Sequence, residues 1–206
     1  MICIIDYGMG NVGSIRNMLR KQGHESVVSE SLEVIGAAEK LILPGVGAFD
    51  HGMKRLESTG IREVLDERVL CEGVPILGIC LGMQMLLKGS EEGGGAGLSW
   101  IPGRSRRFDF SDVVNAPPVP HMGWNHLQVV ANHPILKEVD DRSRFYFVHS
   151  FHVVPEREEH VLARTVYSGF EFVSAIHHKR ILGMQFHPEK SHKFGMRILD
   201  NFARQY

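Results

Sequence analysis

A cysteine stands between two glycines in Gly78-Ile79-Cys80-Leu81-Gly82, directly after the apolar run Val74-Pro75-Ile76-Leu77 and before Met83 to Leu87, whose apolar spacing suits a helix. Glycines two residues to either side let the backbone double back between strand and helix, the pattern of a nucleophile elbow with sulfur in place of a hydroxyl. A thiol at a helix N-terminus meets unpaired N–H groups and the positive end of the dipole, which favours its thiolate. A thiolate nucleophile still needs a base. The run Ile181 to Phe186 ends in His187-Pro188-Glu189. Proline keeps the residue before it extended, and residues two apart in an extended chain point the same way, so imidazole and carboxylate can pair. Cys80, His187 and Glu189 therefore form a candidate triad in which His187 shuttles protons while Glu189 fixes its tautomer and stabilises the imidazolium.

The other thiols and imidazoles carry less. Cys3 inside the first strand and Cys71 at the end of an amphipathic helix lack flanking glycines and read as small buried hydrophobes. Of 12 histidines, His177 and His178 face opposite sides of a strand, and no H-x-x-x-H with a third ligand occurs, so no metal site is expected. His121, His126, His133 and His160 read as surface residues. His149, ending Tyr146-Phe147-Val148-His149, is placed to line a pocket.

The elements that must carry these groups alternate. Met1 to Asp6 is an apolar strand ending at a glycine turn, and Val12, Ile15, Met18 and Leu19 recur at helical spacing up to Gly23. A strand at 25–29 completes a first βαβ unit. Gly8, Gly10 and Gly13 are reminiscent of G-x-G-x-x-G, but no acidic residue stands at the required distance, so no dinucleotide site is expected. Lys40 to Leu43 gives a third strand, stopped by Pro44-Gly45-Val46-Gly47. A helix with apolar positions from Phe49 to Val69 leads to the elbow strand. Strand and helix alternating at this spacing make a doubly wound, mostly parallel α/β sheet of flavodoxin-like class, with sites beyond the carboxyl ends of the strands. Past Gly89 a glycine-rich loop and an irregular stretch at 104–119 follow, its Arg104, Arg106 and Arg107 reading as a solvated face. From Trp124 the period shifts towards two, with strands expected at 125–130, 145–154, 161–167, 170–177 and 180–187, an additional antiparallel layer, and then a helix over 194–203.

The chain has 206 residues, 43% of them hydrophobic and 23% charged, with a net charge of −1. That suits one domain spanning 1–206 and offers no field for nucleic acid or anionic lipid. Three cysteines without C-x-x-C argue against a disulfide framework, and a nucleophilic thiol needs a reducing compartment, so a cytoplasmic location is expected. The N-terminus lacks a basic segment and turns polar at Asp6, unlike a signal peptide.

Three motifs together, PGVGAFD at 44–50, GICLGMQ at 78–84 and QFHPEKS at 185–191, resemble the triad-type class I glutamine amidotransferases. The resemblance covers the whole chain and implies hydrolysis of glutamine to glutamate and ammonia through a glutamyl thioester on Cys80, with no cofactor. It implies an oxyanion hole from the backbone N–H groups of Leu81 and Val46, and substrate contacts at Gly45, Gly47, Gln84, His149, Ser150 and Phe151. Within the family, DYGMGN at 6–11, PHMGWN at 120–125 and YFVHS at 146–150 resemble the branch that forms a heterodimer with a separate (β/α)8 cyclase of histidine biosynthesis. In that branch Asn11 would hold the PGVG strap, and Trp124, Tyr146 and Lys190 would face the cyclase. A paralogous branch feeding amidino-sugar synthesis for surface polysaccharide shares these motifs. A thiol peptidase of the same class would need neither PHMGWN nor HPE, and a non-catalytic binding subunit would not need the intact triad.

Overall fold

In the computed structural model, which describes residues 1–206 apart from Asp112 and Val114, alternate residues of the first strand feed two separate cores. Cys3 and Ile5 of β1 (Ile2–Ile5) enter one cluster, Ile2 and Ile4 the other. A strand apolar at every position must be covered on both faces, and helices do this. After α1 (Val12–Lys21), β2 (Ser26–Ser29), α2 (Leu32–Gly36) and β3 (Lys40–Gly45) come α3 (Phe49–Ser58) and α4 (Ile61–Asp66). A π-helical turn, Glu67–Cys71, leads into β4 (Ile76–Cys80) and the short α5 (Leu81–Met85). Phe49, Met53, Leu56, Ile61 and Leu65 cover one face. Ile15 and Leu19 of α1, with Ile198, Leu199 and Phe202 of α6 (His192–Gln205), cover the other.

The second half adds β5 (Gly103–Arg107), β6 (His121–His126), β7 (Gln128–Val129), β8 (Arg144–His149), β9 (Phe151–Pro155), β10 (Val161–Tyr167), β11 (Phe170–His178) and β12 (Ile181–Met184). Among the described residues the main sheet has ten strands and runs β2-β1-β3-β4-β12-β11-β10-β7, with β9 branching from β11 and β5 from β9. Pairing is parallel from β2 to β12 and antiparallel beyond. Strands β6 and β8 form a separate antiparallel pair in which His121 stands opposite His149 and Trp124 opposite Tyr146.

Several expectations are corrected. The helix read through 49–69 breaks at Gly60, whose φ of +74° is the left-handed conformation that ends helices. Strand β3 runs on through Pro44 to Gly45, which pairs with Cys80; β1 pairs with β3 only as far as Ile42, so the missing N–H of Pro44 leaves no partner stranded. Arg104, Arg106 and Arg107 lie on strand β5 rather than in an irregular stretch, because Gly103 and Ser105 alternate with them as buried positions against β9. Part of the 104–119 expectation, at Asp112 and Val114, lies outside the described residues. The strand expected at 125–130 begins at His121, and β12 stops at Met184. His121 and His160 are buried, not on the surface. Cys71 is exposed, because the wider π turn carries Leu70 and Cys71 off the stripe held by Leu65 and Val69.

Candidate active site

Strand β4 delivers Cys80 at its carboxyl end in a backbone conformation that side chains seldom adopt, φ +54° and ψ −107°. Both flanking glycines are demanded by close approach. A Cβ on Gly82 would lie 1.9 Å from the carbonyl oxygen of Leu43, and one on Gly78 would lie 2.8 Å from the carbonyl of Gly82. The elbow is therefore clamped between β3 and its own helix. Helix α5 has only five residues, so few peptides align behind the sulfur and the dipole contributes less than the sequence suggested. Sγ accepts from Gln185 Nε2 at 3.7 Å and lies 3.9 Å from the carbonyl oxygen of Val148.

The parallel neighbour of β4 supplies the other groups. Met184 pairs with Ile79, so Gln185 leaves β12 beside Cys80 and His187 follows two residues later. Nδ1 of His187 lies 2.8 Å from Oε1 of Glu189, and both side chains are almost fully buried. The carboxylate can only accept, so Nδ1 carries the proton. Nε2 is buried without another hydrogen-bond partner, and so is Oε2 of Glu189. Burial opposes charge on His187, but the neighbouring Cys80 and Glu189 outweigh it and raise the imidazole to about 10. An imidazolium facing the sulfur on one side and a carboxylate on the other is what thiolate chemistry requires. The backbone behind the pair is pinned as well. Ser191 Oγ donates to His187 O at 2.6 Å and accepts from Tyr146 N at 3.0 Å, and His187 N donates to Tyr146 O at 2.9 Å.

A cleft of about 650 Å³ opens over the sulfur. Val46, Gly47, Leu81, Gln84, His149, Ser150, Phe151 and Lys190 line it together with Cys80 and His187. Gly45 sits beneath: a Cβ there would come within 2.7 Å of the Tyr7 hydroxyl and 2.9 Å of Gly82 N. Tyr146 and Trp124 pack edge to face at 5.9 Å, and Lys190 Nζ lies 5.5 Å from the centre of the Tyr146 ring. Asn11 caps α1 by position only. Its side chain is exposed and makes no capping hydrogen bond, and the strap's hydrogen bond to this turn comes from Tyr7, whose hydroxyl donates to Pro44 O at 2.7 Å.

Sequence reasoning missed Tyr7, Gln185 and Glu92. Gln185 is fully buried between Cys80 and Gln84. Its place two residues before His187, facing the same way in an extended chain, was the available signal. Glu92 comes from the glycine-rich loop, accepts from Phe49 N at 2.9 Å and lines the cleft; nothing local in its sequence marks it.

The family described as "Glutamine amidotransferase class-I" matches residues 3–206. The chain belongs to the class-I glutamine amidotransferases. Among curated members of this family, "Imidazole glycerol phosphate synthase subunit HisH 2" of Methanococcus maripaludis is 47% identical, with 100% of each chain covered. The protein of the same name from Pseudomonas aeruginosa is 49% identical, with 98% of each covered. A solved structure titled "Crystal structure of glutamine amidotransferase" superposes with a TM-score of 0.71 over 98% of each chain at 20% identity, a likeness of fold. The amidotransferase fold thus places its elbow cysteine and HPE tripeptide at the ends of adjacent strands, β4 and β12.

Proposed function

We propose that this amidotransferase is the glutaminase subunit of an imidazole glycerol phosphate synthase, supplying ammonia to a separate (β/α)8 cyclase in a heterodimer. The observation that carries the chemistry is Cys80 held on a glycine-clamped elbow beside a buried His187–Glu189 pair. The thiolate of Cys80 attacks the side-chain amide carbon of glutamine. His187 gives its proton to the departing nitrogen, the C–N bond breaks, and ammonia leaves a glutamyl thioester. Water then attacks the thioester carbon and passes a proton to His187 as the C–S bond breaks, which releases glutamate and restores the pair.

The backbone N–H groups of Leu81 and Val46 stabilise the tetrahedral oxyanion, each worth about 3 to 4 kcal/mol in such chemistry. Gln84 and the backbone at Ser150–Phe151 hold the substrate, and Glu92 offers a carboxylate for its ammonium group. Trp124, Tyr146 and Lys190 form the face towards the cyclase, where aromatic side chains anchor interfaces. Among the described residues no helix is long and apolar enough to cross a membrane. The identity of the relatives favours this pathway, and complementation of a histidine auxotroph lacking the glutaminase subunit tests it. With the cyclase present, Cys80→Ala is expected to abolish glutamine-dependent synthesis and spare ammonia-dependent synthesis. Glutamine use at the wild-type rate by Cys80→Ala would overturn the assignment. Trp124→Ala is expected to weaken the complex or uncouple the two reactions.

A further inference from the structure

Strand β6 has two different faces. Met122 and Trp124 are exposed, whereas His121 is buried and Asn125 is partly covered on the inner side. A line of hydrogen bonds leaves that inner side. Asn125 Nδ2 lies 3.4 Å from His121 Nε2, His121 Nδ1 lies 3.2 Å from His149 Nε2, and His149 Nδ1 lies 2.8 Å from Phe151 O. The direction of every bond follows from the Asn125 end. Asn125 Oδ1 accepts from His126 N at 2.8 Å and its Nδ2 donates to Val166 O at 2.9 Å, so the amide presents a second N–H to His121. His121 Nε2 must then accept and its Nδ1 must donate. At the far end a carbonyl can only accept, so His149 Nδ1 carries a proton, and in the neutral ring its Nε2 accepts. Both rings then carry their proton on Nδ1.

Both imidazoles must be neutral for this pattern, since a second proton on either ring would set two donors against each other. Burial secures that, holding His121 down to about 4 and His149 to about 3. Aromatic walls keep the rings in place: His121 lies 4.2 Å from the Tyr167 ring and 5.0 Å from Phe147, centre to centre. The carbonyl at the end of the line is shared. Phe151 O also accepts from Gln84 Nε2 at 3.1 Å, and Gln84 in turn donates to Gln185 Oε1 at 3.2 Å. Gln84, His149, Ser150 and Phe151 all border the cleft over Cys80.

We propose that Asn125, His121 and His149 form a one-directional relay of positioning residues through which the outer strand β6 sets the place of the Phe151 carbonyl, and with it Gln84 and the glutamine-holding wall of the cleft. The relay touches no reacting atom. Its effect is on where glutamine is held, and that consequence rests on the function proposed above. Because β6 carries Trp124 on its opposite face, a displacement of this strand reaches the substrate wall without passing through the PGVG strap.

Two measurements test the proposal. In the wild-type chain at pH 7, nitrogen NMR of the histidine rings, with signals assigned by comparison with His121→Asn, is expected to show His121 and His149 neutral with the proton on Nδ1. A proton on Nε2 of either ring, or a charged ring, overturns the relay whatever the enzyme does. In the complex with the cyclase, His121→Leu is expected to raise KM for glutamine about tenfold while kcat changes less, the size expected for stranding one buried acceptor. His121→Asn keeps an N–H near the Nδ1 position and is expected to return KM to within about threefold of wild type. Equal KM values for the Leu and Asn variants, or a Leu variant indistinguishable from wild type, overturn the proposal. A wild-type complex that hydrolyses no glutamine would instead defeat the functional reading, with the NMR result still deciding the relay.

Discussion

The hydroxyl of Tyr7 donates to the carbonyl of Pro44 at 2.7 Å, tying the first β–α turn to the strap that runs beside Cys80. The contact is reinforced on both sides. Arg55 Nε donates to Tyr7 O at 2.9 Å, and a Cβ on Gly10 would stand 2.9 Å from Pro44 Cβ. Pro44 is thus held on a fixed turn, and movement of the strap must begin after it, in the peptides from Gly45 to Gly47.

Tyr7→Phe removes one oxygen from a fully buried ring and strands the Pro44 carbonyl, which is expected to cost about 1 to 3 kcal/mol in a denaturation titration. Val46, whose N–H is assigned to the proposed oxyanion hole, lies just past that fixed end, so if the cyclase and its ligand set the strap, the glutaminase rates of the free subunit, the complex and the complex with cyclase ligand are expected to converge in this variant. An unchanged ratio among the three states would show that the hydroxyl has no part in control of the strap.

Glu189 and His187 are expected to differ in weight. The carboxylate orients and charges a ring that itself moves the proton, so Glu189→Gln should keep more residual glutaminase activity than His187→Asn. Steady-state kinetics of the two variants in the same complex decide this, and the reverse order would contradict the assigned roles.

The two kinds of glycine in this chain predict opposite signs. Gly82→Ala would force a methyl to 1.9 Å from a backbone oxygen and is expected to destabilise by about 3 kcal/mol or more. Gly13 lies in α1 with nothing within 4 Å of its missing Cβ, so Gly13→Ala is expected to stabilise by about 0.5 to 1 kcal/mol. Midpoints of chemical denaturation for the two variants provide the check.

Buried histidines give the stability a pH dependence whose sign can be worked out. Burial holds His121 to about 4 and His149 to about 3, below the value of about 6.5 in an unfolded chain, so between these limits the unfolded chain binds more protons. Their contribution is complete above about pH 6.5 and falls with acidification by up to about 1.4 kcal/mol per pH unit for each ring. His187 has the opposite sign: raised to about 10, its contribution is complete below the unfolded value and lost as pH climbs through the folded one. Unfolding free energy measured from pH 6.5 to pH 5 should show a shallower slope in His121→Asn than in wild type, by about one proton. Parallel slopes would mean that His121 is not held neutral.

How much of this was legible in the sequence varied with the range of the interaction. The elbow announced itself because its marks are local, two glycines at fixed offsets with an apolar run before and a helix after, although the space Gly82 leaves is taken up by Leu43 of β3. His187 and Glu189 were readable as a pair, but the extended chain expected through them is a 3-10 turn over Pro188–Lys190, and it is this turn that brings the carboxylate back to Nδ1. Gly45 entered only through the motif it belongs to, and the reason for a glycine there, the crowding of Tyr7, Leu81 and Gly82 around the place of a Cβ, comes from other segments of the chain. Tyr7 and Glu92 act on groups 37 and 43 residues away, a pairing that only the sheet order creates. His121 looked like a surface residue because PHMGWN is a polar stretch. Its burial follows from the pairing of β6 with β8 and from aromatic rings contributed by other strands.

The outward turn of Cys71 bears on how the molecule can be handled. Cys71 follows α4 at the amino end of β4, on the edge of the sheet opposite Cys80, and the charge of Glu67 holds its thiol above the ordinary value. A general alkylating reagent therefore meets two unlike thiols, and total label incorporated is not a count of reactive centres. An electrophile built on the glutamine skeleton separates them, since Cys80 lines the cleft whereas Cys71 is exposed. Used the other way, Cys71 is a handle for a fluorophore or a surface tether at the end of the strand farthest from the nucleophile, while Cys71→Ser leaves Cys80 and the buried Cys3 as the remaining thiols.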